Sequence, residues 1–186
     1  MPELALHILD LVQNSVSAGA TRVVVTIAWD TSADTLLISI EDDGKGMAPE
    51  LLERVTSPFT TTRTTRKVGL GIPLFKQLAE MCDGELTIDS TVGRGTKTQA
   101  RFRASHMDLP PLGDLKGTIE TLVIACPERP EFCFIYRVDG HEFIFDTASV
   151  REAVGNLPLN EPEIVGWIGQ YVAEGIGEVE RARAGQ

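Results

Sequence analysis

Cysteine is scarce in this sequence. Cys82, Cys126 and Cys133 are the three in 186 residues. They are too few and too scattered for a disulfide framework, and Cys126 and Cys133 have no neighbours at metal-ligand spacing. Reduced thiols or small buried hydrophobes are expected. Positive charge is also short. Seventeen Lys and Arg stand against 27 Asp and Glu, for a net charge of −10 and a pI near 4.8. A binder of the phosphate backbone needs a basic face, so no nucleic-acid partner is expected. No apolar run approaches the length needed to span a bilayer, and no signal-peptide pattern opens the chain. No membrane association and a cytoplasmic location are therefore expected. Internal repeats and low-complexity tracts are missing as well.

What is present is ordinary globular material, 42% hydrophobic and 24% charged, long enough for one large domain or two small ones. The spacing predicts a helix over 4–18, followed by two β-branched strands, "TRVVVTIAW" and "DTLLISIED", joined by "DTSAD". "DDGKGMAPE" is a glycine-rich loop leading into a short helix near Pro49 to Arg54. "SPFTTTRTTRKVG" is a polar connector. "LGIPLFKQLAEMC" has helical spacing and ends at Asp83-Gly84, and "ELTIDS", "TVGRGT" and "TQARFRA" form a hairpin. The Pro- and Gly-rich segment 105–113 marks a boundary. Beyond it, "DLKGTIETLVIAC" can be a helix, "EFCFIYRVDGHEFIFDT" a hairpin turning at Asp139-Gly140, and "NEPEIVGWIGQYVAEGI" a helix with Asn160 as N-cap and Glu163 completing a capping box. The expected organisation is a domain over 1–104, a linker over 105–113, and a small α+β module over 114–186 for packing or partner contact.

The first helix raises the functional question. Ala5, Ile8, Leu9, Val12 and Val16 gather on one side as a core stripe. His7, Asp10, Asn14 and Ser17 form a second stripe at three- and four-residue intervals. It is either a plain polar face or the lining of a site. "DDGKG" is either a turn or a carboxylate, Asp42, at a strand end where Gly44 and Gly46 admit a flat ligand. Such a carboxylate could accept a hydrogen bond from an exocyclic amine like that of adenine. "GLG", residues 69–71, precedes a helix, where free N–H groups suit a phosphate; "GRGT", residues 93–96, could be only a hairpin turn. Arg63, Arg66 and Lys67, interleaved with Thr60, Thr61, Thr62, Thr64 and Thr65, make either a solvated loop or a lid over a polyphosphate.

Taken in order, "DLVQNSVSAGAT", "DDGKGM", "SPFTTTR", "GLGI" and "GRGT" resemble the N, G1, F, G2 and G3 boxes of the Bergerat-fold ATP-binding superfamily. Its members include histidine-kinase catalytic domains, anti-sigma-factor serine kinases, DNA gyrase, heat-shock chaperones and MutL mismatch-repair proteins. The match covers roughly residues 3–104. The resemblance implies an α+β fold, a two-layer sandwich of a mixed sheet with helices on one face, that binds ATP with Mg²⁺. It implies that Asn14 ligates the Mg²⁺ through its side-chain oxygen, that Asp42 holds adenine, and that Thr96 supports the adenine pocket. Gly44 and Gly46 match the G1 glycines, and Gly69 and Gly71 the G2 glycines beside the phosphates. Leu70 between them, and Thr62 and Lys67 in the connector, are counted with the nucleotide-binding residues. Arg63 stands where "FTTK" motifs carry a Lys near the γ-phosphate. The polar stripe is then expected to face ATP.

Two positions depart from the family pattern. Relatives of the gyrase and anti-sigma type place a Glu general base one helical turn before the Asn, where this chain has the shorter Asp10; Ser17 also differs from the usual Lys or Asp. "NSVSAGATRVVVTI" is similar to a MutL-type opening, whereas the longer stretch from "SPFTTTR" to "GRGT" is similar to a histidine-kinase catalytic domain. Histidine kinases carry the acceptor His on a dimerising helix pair before this domain, and six residues precede His7. "HMDLPPL" at 106–112 makes a poor acceptor box because its prolines break a helix. The leading expectation is a catalytic domain that transfers the γ-phosphate to a partner protein, with Asp10 and Arg63 as catalytic residues. The alternatives are a slow ATPase switch of the gyrase/MutL type and a nucleotide-binding regulator without turnover. Homodimerisation is left open.

Overall fold

The computed structural model describes residues 3–56 and 70–184. In chain order the elements are helix α1 (Leu4–Ser17), strands β1 (Arg22–Asp30) and β2 (Thr35–Asp42), helices α2 (Pro49–Thr56) and α3 (Gly71–Met81), strands β3 (Glu85–Thr91) and β4 (Gly95–Arg103), helix α4 (Leu115–Ala125), strands β5 (Glu131–Val138) and β6 (His141–Asp146), and helices α5 (Thr147–Val154) and α6 (Pro162–Ala184).

The strands form one sheet in the order β3-β4-β2-β1-β5-β6. Period-two burial explains how it is covered. In β1, Val23, Val25 and Ile27 are buried while Val24, Thr26 and Ala28 are half-buried. Register carries that phase across the sheet: Ile27 lies opposite Ile38 of β2 and Tyr136 of β5, and Ile38 lies opposite Ala100 of β4. One face is therefore mainly apolar, polar only toward its Asp42–Thr96 end, and helices cover it. The Phe75 ring of α3 lies 5.5 Å from that of Phe102 in β4. Gly175 lets α6 approach β6 so closely that a Cβ there would meet the Phe143 ring at 2.1 Å. This is the two-layer architecture that the resemblance implies, and it continues into the smaller α+β part.

The two parts are joined more closely than the segment 105–113 suggests. The β5–β6 hairpin extends the sheet built by β1–β4, and β1–β5 is the parallel pair that makes the sheet mixed. Segment 105–113 also caps α1. Glu3, at the N-cap, makes no side-chain capping bond; instead the Leu4 and Ala5 N–H groups donate to the carbonyls of Pro111 (3.0 Å) and Leu112 (2.8 Å). Two N–H groups that a helix start leaves without intrahelical partners are thus satisfied.

Local chemistry sets most boundaries. Asp139 and Gly140 have φ of 48° and 88°, as a two-residue hairpin turn requires. After α3 the left-handed residue is Asp83 (φ 53°), and Gly84 is needed for another reason: a Cβ there would lie 1.8 Å from the Arg101 carbonyl oxygen. Asn160 is not the N-cap of the last helix. That helix begins at Pro162, which suits a first helical position because its missing N–H would have no partner there. Helix α5 has no counterpart in the periodicity reading. Its signals are nonetheless present: the Asp146 side chain accepts from Ala148 N–H at 2.9 Å, and Gly155 (φ 64°) follows its last residue.

Candidate functional site

The site starts from the rotation of α1. Its buried residues are Leu4, Ala5, Ile8, Leu11, Val12 and Ser15, while Leu9 and Val16, expected in the core stripe, are half-buried. This rotation sets Ser15, 5% exposed, against the end of β2. The Ser15 hydroxyl donates to Asp42 Oδ2 at 2.6 Å, and Gly44 N–H donates to Oδ1 at 2.9 Å. Two donors orient the carboxylate, and each oxygen keeps a further lone pair for a ligand.

The adjacent Asp43 does a different job. Its carboxylate accepts from the N–H groups of Thr21 (2.7 Å) and Arg22 (2.9 Å), which secures the start of β1. Burial pushes its pKa up, but the hydrogen bonds from Thr21 and Arg22 outweigh that and hold it below the usual carboxylate range. Of the two neighbouring acids, Asp42 lines the cavity described next and Asp43 is bonded to the scaffold.

Three loops are tied together around Asp42. Lys45 N–H donates to the Ala18 carbonyl (3.0 Å), and the Lys45 carbonyl accepts from Gly93 N–H (2.8 Å). Met47 N–H donates to Ser90 Oγ (2.8 Å), which lies 2.9 Å from the Thr96 hydroxyl. The glycines permit these approaches. At Gly46 (φ 66°) a Cβ would sit 2.0 Å from the Thr91 carbonyl oxygen, and at Gly95 (φ 114°) 1.8 Å from that of Asp42. At Gly44 it would meet Asp42 Oδ1 at 2.9 Å and Ala18 at 3.0 Å.

The result is a cavity of about 210 Å³ whose lining includes Asn14, Ser17, Asp42, Gly46 and Thr96, together with apolar Ile40, Met47, Leu51, Val55 and Ile72. Residues from the N-terminal helix, the first loop and the β3–β4 hairpin thus converge. Gly44 joins them through its bond to Asp42. Gly71 opens α3 beside α1, where a Cβ would be 3.4 Å from that of Asp10, and Leu70, just before it, is exposed. His7 departs from the expected stripe. It stacks on Phe75 at 5.5 Å and 27°, and burial pushes its pKa down, with Asp10 partly opposing. Thr62, Arg63, Lys67 and Gly69, with the whole connector 57–69, lie outside the described residues.

Several lining residues have no signal in the sequence reading. Met47, Leu51, Val55 and Ile72 are apolar residues on loops and helices, with nothing to separate a cavity wall from core. Ser15 carried none either, as one more short polar residue in the run Gln13, Asn14, Ser15, Val16, Ser17. Among the described residues no group of three or more His, Cys, Asp or Glu could hold a metal. The donor set is still compatible with Mg²⁺, which takes few protein ligands alongside phosphates and water; the Asn14 carboxamide offers a neutral oxygen of the required kind.

A profile described as "Histidine kinase-, DNA gyrase B-, and HSP90-like ATPase" matches residues 2–106, more than half of the chain. The chain belongs to this family. The region matched runs from α1 through β4. Sporulation kinase C of Bacillus subtilis is 34% identical over 91 residues, covering 49% of this chain and 21% of that protein. The non-motile and phage-resistance protein of Caulobacter vibrioides is 34% identical over 110 residues, covering 54% and 13%. Sensor histidine kinase ZraS of Salmonella typhi is 30% identical over 89 residues, covering 47% and 19%. The chain thus spans about a fifth or less of the length of these relatives. A solved structure, the N-terminal domain of a DNA repair protein, shares the fold with a TM-score of 0.55 at 15% identity, over 77% of this chain and 52% of that one. Kinase and ATPase activities are typical of the family. Among the described residues no helix is long and apolar enough to cross a membrane.

Proposed function

We propose that the chain binds Mg·ATP and transfers the γ-phosphoryl group to a partner protein. The observation that carries this reading is the Asp42 carboxylate, oriented by Ser15 and Gly44 within an apolar-walled cavity that Asn14 also lines. A flat heteroaromatic ring fits between such walls, and its exocyclic amine can donate to Asp42. Asn14 would hold the metal through its carboxamide oxygen. Mg²⁺ supplies charge neutralisation for the phosphates and the leaving ADP. In the transfer, the bond from the β–γ bridging oxygen to the γ-phosphorus breaks, the acceptor atom of the partner bonds that phosphorus, and ADP leaves. Arg63, Thr62 and Lys67 belong to the connector that would contact the phosphates, with Gly69, Leu70 and Gly71 leading into α3. Residues 114–186, which follow 1–104 and the 105–113 segment and continue the same sheet through β5 and β6, would present the surface that selects the partner. A cytoplasmic location suits a carrier of ATP-dependent signals.

Asp10 supports a second reading, slow hydrolysis. Its carboxylate is exposed, one turn before Asn14 and beside the start of α3, where the helix dipole favours a negative charge. A carboxylate so placed can take the proton of an attacking water.

Asn14→Ala tests the shared site: Mg·ATP affinity is expected to fall by tenfold or more, roughly 1.5–3 kcal/mol, in a calorimetric titration. Unchanged affinity refutes the assignment. With γ-labelled ATP, label on a second protein identifies a kinase; phosphate release that disappears in Asp10→Asn identifies an ATPase. Binding with neither outcome leaves a nucleotide-dependent regulator.

A further inference from the structure

A second cavity lies at the other end of the sheet. Its volume is about 480 Å³, within the ~300–1,000 Å³ of small-molecule sites. Along β1, Val23 is paired with Asp42 of the first cavity, whereas Trp29, which lines the second, is paired with Leu36. Six residues of strand, about 20 Å at ~3.3 Å each, separate them.

Its walls are mainly carbon. Trp29 and Tyr136 contribute aromatic surface from the neighbouring strands β1 and β5, and Ala104 and Leu112 contribute aliphatic surface from the segment after β4. Glu180 and Arg183, one turn apart on α6, add one charge of each sign; the third charged group of the lining, Asp34, is already engaged by the Ser105 N–H and hydroxyl and by Arg103. The Glu180 carboxylate is fixed by Tyr136, whose hydroxyl donates to Oε1; burial, with Glu180 adding to it, pushes the Tyr136 pKa well up and keeps it a donor. Arg183 is held loosely, with Nη1 3.8 Å from Glu180 Oε2 and Nε 3.9 Å from Asp139 Oδ2. Both distances exceed those of hydrogen bonds. The guanidinium therefore retains N–H groups able to take a carboxylate, and Glu180 Oε2 retains acceptor capacity for an ammonium.

We infer that this cavity, formed by Trp29, Tyr136, Ala104 and Leu112 with Glu180 and Arg183, binds a small zwitterion with an apolar body, the chemistry of a free hydrophobic amino acid. The ligand carboxylate pairs with Arg183, its ammonium with Glu180, and its side chain lies against Trp29 and Leu112. The inference does not depend on the nucleotide reading.

Trp29 is a built-in reporter. Trp167 is the other tryptophan in the chain, so in full-length Trp167→Phe the emission comes from Trp29 alone. Titration with L-phenylalanine is expected to shift that emission saturably. Hydrocinnamate, which lacks the ammonium, and phenethylamine, which lacks the carboxylate, are each expected to bind about tenfold more weakly. Arg183→Gln should weaken L-phenylalanine and hydrocinnamate by a similar factor while sparing phenethylamine, and Glu180→Gln should do the reverse for the two analogues. Thermal unfolding confirms that each variant is folded, and calorimetry on the wild-type chain reads binding independently of fluorescence. Neither heat nor emission shift across the millimolar range overturns the proposal. So do equal affinities for all three compounds, or folded Gln variants that bind L-phenylalanine like the parent.

Discussion

Two acids, one serine and one histidine separate the roles within the site. Asp42 and Asp43 are adjacent and chemically identical, yet one lines the cavity and the other secures the start of β1. Asp42→Asn is therefore expected to lower ATP affinity by tenfold or more, about 1.5–3 kcal/mol, with little change in the unfolding temperature. Calorimetry with ATP and GTP checks this, and equal affinity of the wild type for both contradicts the adenine reading. His7 gives a pH prediction. Its folded-state pKa is below 6.5 because burial disfavours the charged ring, so the native state binds its proton less readily than the unfolded chain does. That contribution to stability is complete above about pH 6.5 and is lost as pH falls through the lowered native value. Urea unfolding from neutral pH downward should show a steeper loss for the wild type than for His7→Phe; parallel curves would refute it. Asn14 and Asp42 stood out in the sequence as short polar groups at informative positions. Ser15 did not, because the exact rotation of an amphipathic helix is set by what it packs against.

At the scale of elements, the glycine loops matter first as packing joints. Gly46 combines φ of 66° with a Cβ position 2.0 Å from the Thr91 carbonyl oxygen. Gly46→Ala should cost about 2 kcal/mol of folding stability in the absence of nucleotide, measured by chemical denaturation. An unchanged midpoint would show that this glycine serves the ligand alone. The hairpins and most helix limits were legible because turn chemistry is local: Asp139-Gly140 is an example, and Asp146 with Gly155 would have revealed α5. Asn160 misled for the same reason. A good capping residue marks a helix start only if the following residues take helical dihedrals there, and the helix begins one position later, at Pro162.

At the scale of the molecule, the sheet decides what folds as a unit. β5 pairs with β1 from Arg22–Glu131 to Trp29–Val138, and α4 and α6 cover Ile27, Phe134 and Tyr136. Residues 1–113 alone would leave the β1 edge unpaired and that part of the core open. This fragment is expected to associate and to lack a cooperative unfolding transition, in light scattering and calorimetry. A monomeric, cooperatively folded fragment would make 105–113 a true domain boundary. The sequence by itself determined the family, the order of its polar and glycine-rich boxes, and most of the strands and helices, since each rests on short-range periodicity or turn chemistry. Only the tertiary structure decided the rotation that brings Ser15 to Asp42, the division of labour between Asp42 and Asp43, and the joining of β1 to a strand more than a hundred residues later. It also decided the second cavity, whose walls come from four distant segments. Such pairings depend on which surfaces bury one another across the whole chain, and no local pattern encodes that.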